Sequence, residues 1–172
     1  LPQAPQAMAT APPSPPQAPA ALAGVSSTEP IIITSWKMSR FAQLNTGCYV
    51  KDQICWKADD KYTMQQSGII DLVLTSREMY LVDAAWPNPY LLFWHKYSIP
   101  RNARISIRAD GKWSQMASYT EEQDWKLAAI PLTLFKGKQI MIQFLAGGKP
   151  FAYDPKADWF IQDIRIVPDY KP

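Results

Sequence analysis

From Ile31 to the end of the chain, apolar residues recur in short runs with a period of two, and turn-forming residues separate the runs. Alternation places every second side chain on one face of a strand, and no segment sustains the 3.6-residue period of an amphipathic helix. The pattern therefore predicts an all-β domain. The candidate strands are Ile31–Lys37, Gly68–Leu74, Glu78–Val82, Tyr90–Tyr97, Ala103–Ala109, Trp113–Ala117, Lys126–Leu132, Gln139–Leu145 and Trp159–Val167.

Two of these segments indicate how the strands are arranged. Tyr90–Tyr97 is apolar on both faces, as expected of a central strand that is covered on both sides. Ala103–Ala109 alternates apolar and polar residues, and the Asp110-Gly111 pair that follows it is a strong hairpin signal, because glycine accepts a positive φ. Short strands joined by such turns and by some longer connections fit a two-sheet antiparallel sandwich of the Greek-key type.

Residues 1–28 contrast with this domain, since they contain no charged side chain and are rich in Pro, Ala, Gln and Ser. Proline fixes φ and lacks an N–H donor, so the segment favours extended polyproline II and is unable to build a core. We therefore divide the chain into an extended tail, residues 1–28, and a β-sandwich, residues 29–172. The tail is either a flexible spacer or an arm that docks on other protein subunits; fully extended, it would reach roughly 80 Å.

Charge and hydropathy exclude two classes of partner. The 18 basic and 15 acidic residues give a net charge of +3 and are widely spread, so we expect no nucleic-acid partner. No stretch approaches the roughly 18 consecutive apolar residues of a membrane span. Because the chain begins with Leu1 and not with methionine, we expect a periplasmic, cell-surface or secreted protein whose signal peptide has been removed.

Cys48 and Cys55 are the only cysteines, and they lie close together in the segment TGCYVKDQIC. Two strands and a short turn can bring such a pair within bonding distance, so we predict a disulfide, which would agree with export. Two free buried thiols are the alternative. A zinc site would need further ligands, and the single histidine, His95, is distant in the sequence.

Groups that could catalyse a reaction are scarce. His95 stands within a predicted central strand, where a packed imidazole with one hydrogen-bond partner is more usual than a general base. Glu121, Glu122 and Asp124 could imitate the acid pair of a glycosidase, but adjacent carboxylates in a polar loop are usually only solvated. We therefore predict that the chain is not an enzyme.

Aromatic residues in loops are better candidates for binding, because planar rings at loop tips stack on sugar faces or anchor protein interfaces. Trp86 in AAWPNP and Tyr153 in PFAYDP lie among turn formers and are the candidate ligand-stacking residues. The alternative is that each ring folds back over a sheet edge. Five other tryptophans are interpreted as structural, namely Trp36, Trp94, Trp113, Trp125 and Trp159.

Five segments between Leu74 and Ile166 carry a family resemblance through their order and spacing. They are LTSREMYL, LLFWHKYSI, ARISIRADGKWSQM, WKLAAIPLTLFKGKQIMIQFLAG and DWFIQDIRI. The series resembles the MAM-like jelly-roll modules of secreted bacterial proteins, including immune-inhibitor-A-type metallopeptidases. The resemblance implies a two-sheet jelly roll used for adhesion, recognition or support, usually without catalysis of its own.

The resemblance also bears on calcium, which some relatives bind near their N-terminal strands. The oxygen ligands that this chain could offer are Asp59, Asp60 and Asp163. The chain departs from the family in lacking the glutamate-and-glycine start that these relatives share. It also carries Gln162 at the first position of an acidic pair that is usual in the last strand. We therefore expect no cofactor, with calcium as the alternative.

Three functions remain, and we rank them. The first is a non-catalytic extracytoplasmic accessory or structural subunit, which docks on partner chains of a filament, envelope layer or membrane-associated complex through its tail and sandwich surface. The second is a carbohydrate-binding or adhesion module, because the jelly-roll resemblance and the loop aromatics favour it. The third is the accessory domain of a hydrolase.

Overall fold

The computed structural model describes residues 28–59, 71–98, 102–147 and 158–172. The predicted tail lies outside these ranges apart from Thr28, and so do Asp60 and Tyr153. The predictions that concern them, including the domain boundary at residue 29, stay predictions. Within the described residues, no helix has the length and apolar character that crossing a membrane would require.

The described residues form two antiparallel sheets of six strands each. A short 3-10 helix, Thr133–Phe135, precedes the eleventh strand. In chain order the strands are β1 (Ile31–Ile32), β2 (Trp36–Ser39), β3 (Phe41–Leu44), β4 (Cys55–Asp59), β5 (Leu72–Ser76), β6 (Tyr80–Val82), β7 (Tyr90–Tyr97), β8 (Asn102–Ala109), β9 (Lys112–Tyr119), β10 (Gln123–Pro131), β11 (Lys138–Gly147) and β12 (Asp158–Val167).

The strand order places distant parts of the chain side by side. Sheet A has the order β10-β7-β12-β4-β3, with β1 also paired to β12, and sheet B has the order β2-β5-β11-β8-β9, with β6 also paired to β11. In both sheets the late strands, β11 and β12, are inserted between earlier ones. Crossovers of this kind between two facing sheets are typical of the jelly roll. The predicted all-β, two-sheet antiparallel jelly-roll sandwich is therefore confirmed.

Aromatic side chains from both sheets meet in the core. Phe144 of sheet B contacts Phe93 and Trp159 of sheet A, with ring centroids 4.9 and 6.0 Å apart. Trp36 adds a contact to Phe144 at 5.7 Å and donates its indole N–H to the Ile33 carbonyl at 3.2 Å. All five side chains are buried. This core decides which face of each strand points inward, and hence which side chains form the outer faces.

Two predicted features of single elements are confirmed. The Asp110-Gly111 turn joins β8 to β9, and its φ angles of 51° and 77° are those of a hairpin turn with two left-handed residues. Tyr90–Tyr97 is strand β7, which lies between β10 and β12. Its central position is thus as predicted, but only its inner face is fully covered: on the outer face Leu92 is buried, while Trp94 is half-buried and Lys96 is exposed.

The predicted single strand Ile31–Lys37 is wrong. β1 joins sheet A and β2 joins sheet B, so the chain crosses from one sheet to the other within this segment. The Ile33 N–H donates to the Ile164 carbonyl at 2.9 Å before the crossing. Alternation did not reveal the crossing because both sheets bury their residues in one core, and Ile33 and Trp36 are buried on either side of it.

Candidate functional site

The outer face of sheet A carries two adjacent rows of side chains, which the pairing register of the three central strands defines. From β7, β12 and β4 respectively, the first row consists of Lys96, Phe160 and Lys57, and the second row consists of Trp94, Gln162 and Cys55. The first row lies near the edge of the sheet at which β7 ends, at Tyr97, and β12 begins, at Asp158. A surface that spans several strands is thus set by β-sheet register alone.

Two aromatic side chains of these rows, Trp94 and Phe160, form a continuous cluster with Tyr49 and Trp125, here called the aromatic platform. The Tyr49 ring lies 4.7 Å from the Trp94 ring and 5.4 Å from the Trp125 ring, with interplanar angles of 31° and 33°. Trp125 and Phe160 are 5.9 Å apart. Tyr49 is 50% exposed and the other three rings are half-buried, so solvent, or a ligand, reaches ring surfaces on all four.

Tyr49 reaches the platform on the loop of residues 45–54, which connects β3 to β4. A disulfide between Cys48 and Cys55 closes this loop, with the two Cα atoms 5.9 Å apart. The predicted disulfide is therefore confirmed. Cys55 is fully buried in the second row, so the bond fixes the loop directly to the sheet beside Tyr49.

Gln162 fixes the same loop from the other side of Tyr49. The Val50 N–H donates to Gln162 Oε1 at 2.9 Å, and Gln162 Nε2 donates to the Val50 carbonyl at 3.2 Å. The Gln162 side chain is fully buried, and one primary amide satisfies both main-chain groups of Val50. An ionised carboxylate, of the kind that is usual at this position in the family that the chain resembles, would lack the donor.

Two β-bulges lie next to the platform. The pairing of β10 with β7 shifts just after Gln123, in the short stretch that carries Trp125. The pairing of β12 with β7 shifts just after Gln162, where Asp163 has a φ of 53°. A bulge bends its strand and redirects the neighbouring side chains. Trp125 of β10 and Gln162 of β12, which both shape the platform, therefore stand at irregularities that alternation alone does not predict.

Two lysines that border the platform, Lys57 and Lys96, are held in ion pairs. Lys57 Nζ lies 3.1 Å from an oxygen of Asp158 and 5.4 Å from the centre of the Phe160 ring. Lys96 Nζ lies 3.9 Å from an oxygen of Asp124. Each of these two cations thus has a carboxylate beside it, and the pairs offer both hydrogen-bond donors and acceptors at the border of the platform.

His95 lies beneath the platform, on the inner face of β7. It is 1% exposed, and its Nε2 is 3.1 Å from Gln123 Nε2, at the start of the bulge that carries Trp125. The Tyr119 ring is 4.6 Å away. Burial, aided by the charge of Lys126, lowers the pKa of His95 to about 4, so the imidazole is neutral at pH 7. It packs as the sequence predicted of a core histidine.

Trp86 does not lie at the surface, and its prediction as a ligand-stacking residue is wrong. Its side chain is 3% exposed and belongs to the core. A turn in which the Trp86 N–H donates to the Asp83 carbonyl at 3.2 Å brings it inward. Burying so large an apolar ring outweighs its position among turn formers. The second stacking candidate, Tyr153, lies outside the described residues.

The platform residues were not predicted as binding residues. Trp94 and Trp125 were interpreted as structural, yet both are partly exposed on the outer face of sheet A, and Trp113 is 43% exposed on sheet B. Trp94 is two residues from Leu92 and therefore lies on the same outer face of β7. The sequence thus indicates on which face Trp94 lies, but it does not indicate that the ring is accessible to solvent. For Tyr49, the available signal is its position between the two cysteines.

The proposed calcium ligands are not brought together by the described residues. The Asp163 carboxylate is 3.0 Å from Arg165 Nη2, so it already has a cationic partner and does not fit a calcium site. In the part of the chain that the structure describes, no three His, Cys, Asp or Glu side chains form a metal-binding group. The calcium alternative rests on Asp60 and the Asp59 side chain, which lie outside that part.

The loop carboxylates considered for glycosidase chemistry lie at the β9–β10 turn. Glu121 and Glu122 are exposed and line an open pocket of about 280 Å³ formed by residues 118–123. Asp124 forms the ion pair with Lys96 at the border of the platform. Their positions agree with solvated loop carboxylates, as the sequence indicated.

No protein-family model matches this chain, and no curated protein matches it. Solved structures do match its fold. TmCBM61 in complex with β-1,4-galactotriose is 12% identical, with a TM-score of 0.50 over 77% of this chain and 87% of that one. The K1 cleaved adhesin domain of Lys-gingipain from Porphyromonas gingivalis W83 is 10% identical, with a TM-score of 0.53 over 82% and 98%. The glycoside hydrolase domain of Endo-D from Streptococcus pneumoniae R6 is 12% identical, with a TM-score of 0.53 over 83% and 22%.

These likenesses establish the fold, a jelly-roll β-sandwich that a carbohydrate-binding module and an adhesin domain also have. At 10 to 12% identity, these likenesses do not show which residues of this chain bind a ligand. What the aromatic platform binds therefore depends on the chemistry of its own side chains.

Proposed function

We propose that this chain is a carbohydrate-binding module whose ligand lies on the aromatic platform. The observation that carries the proposal is the cluster of Tyr49, Trp94, Trp125 and Phe160, partly open to solvent on a sheet face. Flat rings bury the apolar faces of sugars, while the neighbouring ion pairs offer hydrogen bonds to hydroxyl groups. The fold likeness to TmCBM61, solved with β-1,4-galactotriose, supports this function.

The proposal includes binding without catalysis and a location outside the cytoplasm. The Cys48–Cys55 disulfide supports that location, since such bonds persist in oxidising compartments. Membership of the MAM-like modules is the finer form of the proposal, and it rests on the five segments named above. The hypothesis ranked first in the sequence analysis, a docking subunit, depends on residues 1–28. Nearly all of these lie outside the described residues.

An array of neutral glycans, which lack the acidic groups that the opposite sheet could attract, tests the proposal with wild type, Trp125→Ala and Trp113→Ala. Trp113 is the matched control, because it is an exposed tryptophan on the opposite sheet. We expect the wild type to bind a set of glycans, and Trp125→Ala to weaken binding by at least about tenfold, as for the loss of an aromatic anchor. Trp113→Ala should bind as the wild type does. No binding by the wild type, or equal losses in the two variants, would contradict the proposal.

A further inference from the structure

The outer face of sheet B carries a continuous polar row, which is independent of the aromatic platform. The row crosses β9, β8, β11, β5 and β2 and consists of Gln115, Ser106, Gln143, Thr75 and Lys37. Within it, Gln143 Nε2 donates to Thr75 Oγ1 at 3.1 Å. With neighbouring strands about 4.8 Å apart, the row is roughly 19 Å long, enough to lie along several sugar units of an extended chain.

Three cations belong to this face, and none of them has a carboxylate partner among the residues that the structure describes. Lys37 ends the polar row, while Arg104 and Arg108 flank it from outward positions of β8. All three are exposed, and within the described residues none of them forms an ion pair. The residues that pair with Arg104 and Arg108 across the sheet are also uncharged, namely Leu145, Ser118, Met141 and Trp113.

Sheet A differs in this respect. The cations at outward positions of its strands, Lys57, Lys96 and Arg165, each lie within 4 Å of a carboxylate oxygen. The two outer faces therefore differ in charge, one with its cations paired and the other with three cations unpaired. An unpaired cluster of this kind attracts an anionic partner more strongly than a paired one.

We propose that the outer face of sheet B, called the basic face and defined by Lys37, Arg104, Arg108 and the polar row, binds an acidic polysaccharide. Arginine forks bind carboxylate or sulfate groups through two parallel hydrogen bonds. Ser106 is buried, but the amides of Gln115 and Gln143 and the Thr75 hydroxyl supply partners for sugar hydroxyls. Trp113, 43% exposed beside Arg108, offers a ring to a sugar face. A chain that repeats an acidic group among hydroxyl groups matches all three features.

The test compares polygalacturonate and dextran sulfate with neutral dextran by affinity electrophoresis at low and high salt. We expect retardation by the two acidic polymers, decreasing with salt, and none by dextran. Arg104→Ala/Arg108→Ala should weaken binding about tenfold, since two exposed charge contacts are lost. The matched control, Lys51→Ala/Lys171→Ala, removes the same charge at exposed positions elsewhere and should stay within about twofold of the wild type.

Several outcomes would overturn the proposal. These are no binding by the wild type, equal retardation by dextran, equal losses in the two double variants, and tighter binding of single-stranded DNA through the same arginines. A neutral glycan that binds the aromatic platform should not compete with the acidic polymers, and full competition would also count against a separate face. Because the two sets of variants lie on opposite sheets, failure of the basic face and failure of the aromatic platform are distinguishable.

Discussion

Gln162 shows how one side chain decides the shape of the site. Its amide donates to and accepts from the same residue, Val50, and the Gln162 side chain itself is fully buried, so its polar atoms depend on these two hydrogen bonds. A side chain that only accepts leaves the Val50 carbonyl without a partner. The loop that carries Tyr49 thus depends on an amide where a carboxylate is usual in the family that the chain resembles.

The Gln162→Glu variant is expected to lose about 2 to 4 kcal/mol of unfolding free energy at pH 7, because it buries a charge and loses the donor. Burial should raise the pKa of the introduced carboxyl, so its neutral form, which has a donor again, is restored in acid. The deficit relative to the wild type should therefore grow as pH rises through the unfolded value of about 4.3. Urea unfolding at pH 4 and pH 7 measures it, with exposed Gln139→Glu as the control. Equal deficits at both pH values would argue against the amide clamp.

His95 should make the fold sensitive to acid. Its pKa is lowered to about 4 in the folded state, against 6.5 in the unfolded chain, so folding favours the neutral imidazole. The stability it contributes is fully present above pH 6.5 and is lost as pH falls towards 4, by about 3 kcal/mol in all. Because burial also raises the pKa of Tyr119, that neighbour stays neutral throughout this range.

As the only histidine, His95 gives a single set of imidazole resonances for an NMR titration. We expect the native resonances not to titrate until below about pH 5. The wild type should also lose more stability than His95→Gln between pH 7 and pH 4, since the carboxylates titrate in both proteins. A native titration near pH 6.5 would show that the imidazole is solvated and would contradict this account.

At the scale of elements, the loop of residues 45–54 is fixed to the sheet on both sides of Tyr49, by the disulfide at Cys48 and by the hydrogen bonds of Val50 with Gln162. Replacing the disulfide with Cys48→Ala/Cys55→Ala should cost about 2 to 3 kcal/mol of unfolding free energy, from the chain entropy of a short closed loop. Ligand affinity should fall as well, because Tyr49 would lose its fixed position over Trp94. Thermal unfolding and glycan binding, with and without reductant, measure both effects. Unchanged glycan affinity after reduction would mean that Tyr49 needs no fixed loop.

An element could be predicted from the sequence only if it was long enough and if its buried residues followed a regular pattern. β7 was predicted correctly because it is eight residues long and its inward positions, from Leu91 to Tyr97, are all buried. β3 and β4 were missed, because each is short and the inward residues, Phe41 and Trp56, stand among exposed or polar neighbours. The bulge that carries Trp125 interrupts the alternation of β10, so periodicity could not assign that ring to a face.

At the scale of the whole molecule, two sheets built on one core present two different surfaces. Lys57 and Lys96 beside the aromatic platform are paired with carboxylates, whereas Lys37, Arg104 and Arg108 of the basic face form no ion pair within the described parts of the chain. The sequence predicted the sandwich, because alternation and turns are local, but it could not show which residues of distant strands share a face. Trp94, Phe160 and Tyr49 become neighbours only through the insertion of β12 between β7 and β4.

The central claim, that a sugar lies on the aromatic platform, is tested most directly by following the seven indole N–H signals by NMR during titration with the tightest oligosaccharide from the array. We predict that the signals of Trp94 and Trp125 shift with a common dissociation constant. Those of Trp86, which is buried, and Trp113, which lies on the other sheet, should stay in place. Shifts confined to Trp113 or to the core tryptophans, with Trp94 and Trp125 unmoved, would contradict the claim.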